Sequence, residues 1–148
     1  MQKNDILIDI INFNYSTMEQ AKKVVLVVDD VPEIIEVITT VLARDNIEAI
    51  VATSGQEGID MAKQHKPDLI ILDFKMPDMD GAETLEKLRQ DPETKDIKVI
   101  FLTAFGDIKK LEEHSDPAHA AIIGDTPIIQ KGGDIGVLRD TIRKNLGI

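Results

Sequence analysis

Two short aliphatic runs in this chain end abruptly on aspartate. Val24–Val28 is followed by Asp29 and Asp30, and residues 69–72 are followed by Asp73. Uninterrupted β-branched and aliphatic runs of this length predict strands that are buried on both faces of a parallel sheet. The ligand crevice of an open α/β sheet lies beyond the carboxyl ends of its strands. We therefore expect the three carboxylates to meet in one crevice.

Two further predicted strands bring different groups to the same edge of the sheet. Residues 99–102 precede Thr103, and residues 127–130 precede Lys131. Three clustered acids repel one another and offer a site for a divalent cation that prefers oxygen ligands. A carboxylate can also act as a nucleophile, while a hydroxyl and an ammonium group can bind phosphoryl oxygens. This set of groups favours phosphoryl chemistry.

Apolar residues recur at helical spacing between these strands. The spacing predicts four helices, which begin near Pro32, at Thr53 or Ser54, at Gly81 and at Asp134. Proline suits the first turn of a helix, and hydroxyl or carboxylate side chains can cap one. A second strand is predicted at residues 47–52. Strands that alternate with helices predict right-handed crossovers and a doubly wound parallel sheet.

Length and composition predict one domain. A chain of 148 residues suffices for one core and is short for two domains, so we expect no DNA-binding output domain after Ile148. The net charge of -10 disfavours nonspecific binding to nucleic acid or to an anionic membrane. The sequence contains no cysteine, which excludes disulfides and thiolate metal sites. No apolar run approaches the ~20 residues of a membrane span, and we expect a cytoplasmic location.

The polar positions resemble those of the receiver domain of two-component response regulators. The resemblance rests on the acid pair Asp29 and Asp30, on Asp73, on Thr103 and on Lys131. It is strengthened by the sequence Leu-Asp-Phe-Lys-Met-Pro-Asp-Met-Asp-Gly around the third acid. It covers about residues 22–148 and implies a flavodoxin-like fold with five parallel strands. Residues 1–21 would form an N-terminal extension.

For the metal, the resemblance implies a Mg²⁺ site made from acids and one backbone group. Asp30 and Asp73 would bind the ion directly, and Asp29 would act mainly through water. The backbone carbonyl of Lys75 would complete the protein ligands.

For the reaction, the resemblance implies phosphorelay signalling. Asp73 would accept a phosphoryl group from a histidine kinase or a phosphotransfer protein, while Thr103 and Lys131 would bind the phosphoryl oxygens. The acyl phosphate would then hydrolyse in the same site. The chain would thus be a switch that signals to a downstream protein. It would be an enzyme only in the sense that it catalyses its own phosphorylation and dephosphorylation.

Three departures from the receiver pattern affect how the domain would signal to a partner protein. Gly132 and Gly133 follow the lysine where receivers usually carry proline, and Ile128 replaces a usual aromatic residue. The segment between Thr103 and Lys131 is longer than expected. This length predicts a broken or extended helix between the fourth and fifth strands. This change would either alter the partner-binding face or be a tolerated surface insertion.

Several alternatives stay open at this point. Asp29 or Asp30 alone could cap the helix at Pro32, and Thr103 and Lys131 alone could be an ordinary strand-end hydroxyl and a solvated lysine. The whole chain could be a receiver-like interaction module without phosphorylation. A flavodoxin or an aspartate-nucleophile phosphatase has a similar topology, but the first would need a phosphate loop rich in glycine, serine and threonine. The second would need an Asp-x-Asp pattern.

The N-terminal extension and the histidines are the least informative parts. Residues 1–21 could be loosely ordered, or could form a helix or edge strand that packs on the domain or on a second subunit of a homodimer. His65, His114 and His119 lack metal-ligand spacing and are predicted to lie on the surface.

Overall fold

The computed structural model describes residues 3–19, 22–104, 106–107, 117 and 123–148. The helices are α1 (Lys3–Glu19), α2 (Pro32–Arg44), α3 (Gly55–His65), α4 (Gly81–Gln90) and α5 (Ile135–Leu146). The strands are β1 (Val24–Val28), β2 (Glu48–Ala52), β3 (Leu69–Asp73), β4 (Lys98–Thr103) and β5 (Ile128–Gln130). Most of the predicted irregular segment 104–126, including His114 and His119, lies outside the described residues.

All five strands are parallel and lie in the order β2-β1-β3-β4-β5. The doubly wound, flavodoxin-like sheet predicted from the sequence is therefore confirmed. The register aligns the carboxyl ends of the inner strands, since Val28 pairs with Leu72 and Asp73 pairs with Leu102. Thr103 in turn pairs with Gln130. This alignment brings the residues at the strand ends to one edge of the sheet.

Alternate residues of each inner strand enter two separate apolar layers. Val25 and Val27 face the layer covered by α2 and α5, whereas Leu26 and Val28 face the layer covered by α3 and α4. Each layer removes large aliphatic side chains from water, which is the main favourable contribution to folding. Because both faces are covered, the inner strands β1, β3 and β4 carry uninterrupted apolar runs.

The predicted helix starts are confirmed, and the structure selects between the two capping residues proposed for α3. The hydroxyl of Ser54 accepts a hydrogen bond from the N–H of Glu57 at 3.2 Å, and the Glu57 carboxylate accepts one from the N–H of Thr53 at 3.1 Å. This arrangement resembles a capping box, although the Glu57 carboxylate accepts from the residue before the N-cap and not from the N-cap itself. At α5, the carboxylate of Asp134 accepts from the N–H of Gly136 at 2.6 Å.

Of the alternatives left open for the N-terminal extension, the structure shows a helix, α1. Every side chain described in it, from residues 3–13, is exposed. His65 is exposed at the end of α3, as predicted. None of the helices in the described part of the chain has the length and apolar character needed to cross a membrane.

Candidate functional site

The strand-end residues converge as predicted. Asp73 ends β3 and Thr103 ends β4, while Asp29 and Lys131 come directly after β1 and β5. Asp29, Asp73 and Thr103 are each at most 2% exposed, and the side chain of Lys131 is 16% exposed. Asp30 is more exposed and lies at the mouth of the group. The chain therefore places polar groups in a crevice next to a largely apolar core.

Three acids form a cluster in this crevice. Asp29, Asp30 and Asp73 each contribute one carboxylate oxygen, and these oxygens lie within 4.8 Å of one another. Carboxylates this close repel each other unless a cation lies among them. The arrangement could hold a metal ion.

Lys131 pairs with both buried acids. Its ammonium nitrogen lies 2.9 Å from Oδ2 of Asp29 and 3.0 Å from Oδ1 of Asp73. Burial by itself lowers the pKa of Lys131, but the contacts with the two aspartates outweigh it and raise that pKa. Lys131 is therefore charged at neutral pH and offsets part of the negative charge of the cluster.

Asp73 remains electrostatically disfavoured despite this lysine. Burial raises the pKa of the Asp73 carboxyl, contact with Lys131 lowers it, and the charge of Asp29 raises it again, so that the pKa stands at about 6. A raised pKa means that the ionised carboxylate is poorly compensated by its surroundings. A further cation beside Asp73 would stabilise its ionised carboxylate.

The hydrogen bonds of the two buried carboxylates are incomplete. Oδ1 of Asp29 accepts from the N–H of Val31 at 2.8 Å, and Oδ1 of Asp73 accepts a long bond from the N–H of Lys75 at 3.4 Å. Among the described residues, neither Oδ2 atom receives an aligned hydrogen bond, although Lys131 lies close to that of Asp29. Buried acceptors without donors are costly. Oxygen ligands of this kind fit Mg²⁺, which binds through one or two carboxylates and keeps several waters.

Asp29 also has the local structural role that the sequence left open. Its bond to the N–H of Val31 orders the turn before α2, although the N-cap of the helix is Val31 itself and Pro32 fills the first turn. Thr103 also makes a local hydrogen bond, because its hydroxyl donates to the carbonyl oxygen of Ala104 at 3.3 Å. These local bonds are compatible with a role in the site.

The loop after β3 is held close to Asp73 by a glycine. The N–H of Gly81 donates to the carbonyl oxygen of Phe74 at 2.7 Å. A Cβ at position 81 would lie 2.5 Å from the carbonyl oxygen of Asp73, so no larger residue fits without a shift of backbone. Asp80 caps α4 by accepting from the N–H of Glu83 at 2.8 Å. Sequence reasoning assigned no role to Asp80 or Gly81, although Asp-Gly before a helix is a recognisable capping signal.

The loop after β5 contains the glycines that depart from the receiver pattern. The N–H of Lys131 donates to the carbonyl oxygen of Thr103 at 2.8 Å, which fixes the lysine beside the end of β4. Gly132 has a φ of 73°, in the left-handed region that favours glycine. Ile128 is 40% exposed on the edge strand. The glycine therefore meets a backbone requirement of this loop.

Similarity to known proteins agrees with this geometry. The family model for the response regulator receiver domain matches residues 25–143. Sporulation initiation phosphotransferase F of Bacillus subtilis is 30% identical over 82% of this chain and 92% of that protein. Several longer transcriptional regulators also match, and the chain spans only 34–37% of their length.

Solved structures show the same fold. The N-terminal domain of a response regulator receiver protein from Methanoculleus marisnigri JR1 is 36% identical, with a TM-score of 0.62 over 82% of this chain and 94% of that one. A putative response regulator from Chloroflexus aurantiacus J-10-fl is 27% identical, with a TM-score of 0.73 over 86% and 99%. The chain belongs to the response regulator receiver domain family.

Proposed function

We propose that Asp73 accepts a phosphoryl group from a phosphohistidine of a histidine kinase or phosphotransfer protein, and that the modified chain signals to a downstream protein. The observation that carries this proposal is the buried carboxylate of Asp73. Its Oδ2 atom has no aligned donor among the described residues, while Lys131 and two further acids lie around it.

The groups in the crevice have distinct tasks in this reaction. An oxygen of Asp73 forms a bond to phosphorus as the bond from phosphorus to the donor nitrogen breaks, and the electron pair leaves on the imidazole. Lys131 exchanges its contact with the Asp73 carboxylate for a phosphoryl oxygen, and the hydroxyl of Thr103 turns from Ala104 to donate to another. Attack of water on the acyl phosphate later restores the carboxylate. The chain therefore acts as a switch that resets itself.

The proposed metal ligands are the acids of the cluster. Asp30 and Asp73 would hold Mg²⁺, Asp29 would act mainly through water, and the backbone carbonyl of Lys75 would complete the protein ligands. The ion supplies positive charge that offsets the negative charge on the transferring group. The residues present suit it, because the cluster in the described part of the chain consists of acidic oxygens.

The chain is divided between two roles in this proposal. Residues 22–148 form the receiver, and residues 1–21 form an N-terminal extension that takes no part in the reaction. The printed name of the Bacillus subtilis relative describes a phosphotransferase of sporulation, which supports a phosphorelay context. We place the chain in the cytoplasm together with its phosphoryl donor.

The proposal is tested by incubating the chain with Mg²⁺ and a small phosphodonor such as phosphoramidate, followed by intact mass measurement. We expect a single phosphoryl adduct that forms with Mg²⁺ and is lost in Asp73→Asn. Asp78→Asn is the matched control, because Asp78 is an exposed acid of the same loop. An unmodified wild type under these conditions would support the alternative, an interaction module without phosphorylation.

A further inference from the structure

The N-terminal helix α1 exposes a large apolar surface that the receiver does not cover. Its exposed apolar side chains are between 48% and 72% accessible, namely Ile6, Leu7, Ile8, Ile10, Ile11 and Phe13. An isolated apolar side chain on a surface is ordinary, but six on two turns of one helix are not. A helix with this composition is normally buried in an assembly.

Between residues 5 and 13 of α1, the polar residues lie along one narrow stripe. Asp5, Asp9 and Asn12 follow each other at spacings of four and three residues, so they share one face of the helix. Ile6, Ile10 and Phe13 have the same spacing and form an apolar seam on another face. Spacings of four and three residues are those of the core positions of paired helices. The helix can therefore pack along its seam and keep its acids in water.

A membrane surface does not suit this helix. Helices that lie in a lipid interface carry lysine and arginine on their polar face. The stripe of α1 instead carries Asp5 and Asp9, and the whole chain has a net charge of -10. Both would be repelled by anionic lipid headgroups. The apolar face is better covered by protein.

The exposed area is sufficient for pairing of two copies. Each aliphatic or aromatic side chain of this size buries about 100 Å² of apolar surface. Ile8 lies on the far side of the helix from the seam, so five of them on each helix would bury on the order of 1,000 Å² in a pair, the least that a specific interface needs. Leu7 and Ile11 lie beside the seam and widen it enough to contribute. Lys3 is in line with the seam, three residues before Ile6, but it lies in the first turn of the helix, where its long side chain can reach water.

We propose that α1 pairs with α1 of a second copy of this chain, with Ile6, Ile10 and Phe13 in the contact and the stripe of Asp5, Asp9 and Asn12 in water. The pair would hold together the two receivers that follow α1 in each copy. This surface is separate from the carboxylate crevice and does not depend on phosphorylation.

The test is light scattering of the full-length chain across a range of concentrations, with two variants that add the same charge to α1. Ile10→Asp places the charge in the seam, and Asn12→Asp places it on the stripe. We expect a dimer for the wild type and for Asn12→Asp, and a dissociation constant at least about tenfold weaker for Ile10→Asp. Added salt should strengthen the dimer, because it screens repulsion between two acidic chains.

A second measurement reports the contact directly. The chain contains no cysteine, so a single introduced one is unique. Ile10→Cys should form an intermolecular disulfide on mild oxidation, and Asn12→Cys should form much less. A monomeric wild type would overturn the proposal. If Ile10→Asp then also lowered the free energy of unfolding, the seam would pack against the receiver of the same chain. A dimer that Ile10→Asp leaves intact would also overturn it.

Discussion

Lys131 and Asp73 face each other across the carboxyl ends of β5 and β3, with 3.0 Å between the ammonium nitrogen and Oδ1 of the carboxylate. The same nitrogen lies 2.9 Å from Asp29. One lysine therefore offsets two buried acids. Conversion of Asp73 to an acyl phosphate would remove its carboxylate charge and offer Lys131 new oxygens, so this pair is where modification first changes the contacts of the receiver.

Lys131→Met should destabilise the metal-free chain. The variant leaves two carboxylates without their shared cation, and removal of one partner from a buried ion pair costs about 3 kcal/mol. We expect a loss of this order in the free energy of unfolding from urea denaturation in EDTA at pH 7. Lys75→Met is the control, because Lys75 is exposed. Equal effects of the two substitutions would mean that Lys131 does not stabilise the acid cluster.

Asp73→Asn should stabilise the metal-free chain in a manner that depends on pH. The pKa of Asp73 is raised to about 6 in the folded state from its ordinary value of 3.8, so ionisation of this carboxyl opposes folding. Its neutral form favours the folded state below pH 4, and that contribution is lost as the pH rises through 6. The shift corresponds to about 3 kcal/mol.

The gain from Asp73→Asn should therefore be larger at pH 7 than at pH 4. Denaturation midpoints of variant and wild type in EDTA, measured across this interval, give the difference directly. Asp78→Asn should show no such trend. A gain that is constant with pH would show that burial does not raise the pKa of Asp73.

Asp30→Ala should weaken the response to Mg²⁺. An ion that binds only the native state raises the melting temperature with its concentration, and we propose Asp30 as a direct ligand. The variant should lose most of the Mg²⁺-dependent rise seen in the wild type. Asp60→Ala, at an exposed acid on α3, should respond as the wild type does. If Asp30→Ala melts with the same dependence on Mg²⁺ as the wild type, Asp30 is not a principal ligand.

Gly81→Ala should disturb the loop beside Asp73. The added methyl group would lie 2.5 Å from the carbonyl oxygen of Asp73 and 2.8 Å from Cα of Phe74. Overpacking of this kind costs about 1–3 kcal/mol, and the backbone shift should also slow phosphorylation. Gly106→Ala is the control, because none of the described residues comes within 4 Å of a Cβ there. Wild-type stability of Gly81→Ala would show that the loop adapts without strain.

The strands and their terminal residues could be predicted because buried parallel strands leave a strong signal. Apolar runs identified β1, β3 and β4, and the polar residue after each run identified Asp29, Asp73 and Thr103. The strand order came from the resemblance, since short runs do not indicate which strands are neighbours. β5 was the weakest case, because only Ile129 of its three residues is buried.

The contacts within the site could not be predicted from the sequence. Nothing in the spacing of Lys131 indicates that its nitrogen lies between two carboxylates, because that depends on the register of β5 against β4. The need for glycine at position 81 likewise arises from a backbone approach between distant segments. The exposure of α1 could not be deduced, because an apolar run of this length predicts burial without naming the surface that covers it.

The most direct test of the central claim is to locate the acyl phosphate. The chain is phosphorylated with phosphoramidate and Mg²⁺, reduced with borohydride and digested, and the peptides are analysed by mass spectrometry. Borohydride converts an aspartyl phosphate to homoserine, which marks the modified residue permanently. We predict homoserine at position 73 and unaltered aspartate at positions 29 and 30. Homoserine at either of those positions, or none in a chain that carries the phosphoryl group, would contradict the account.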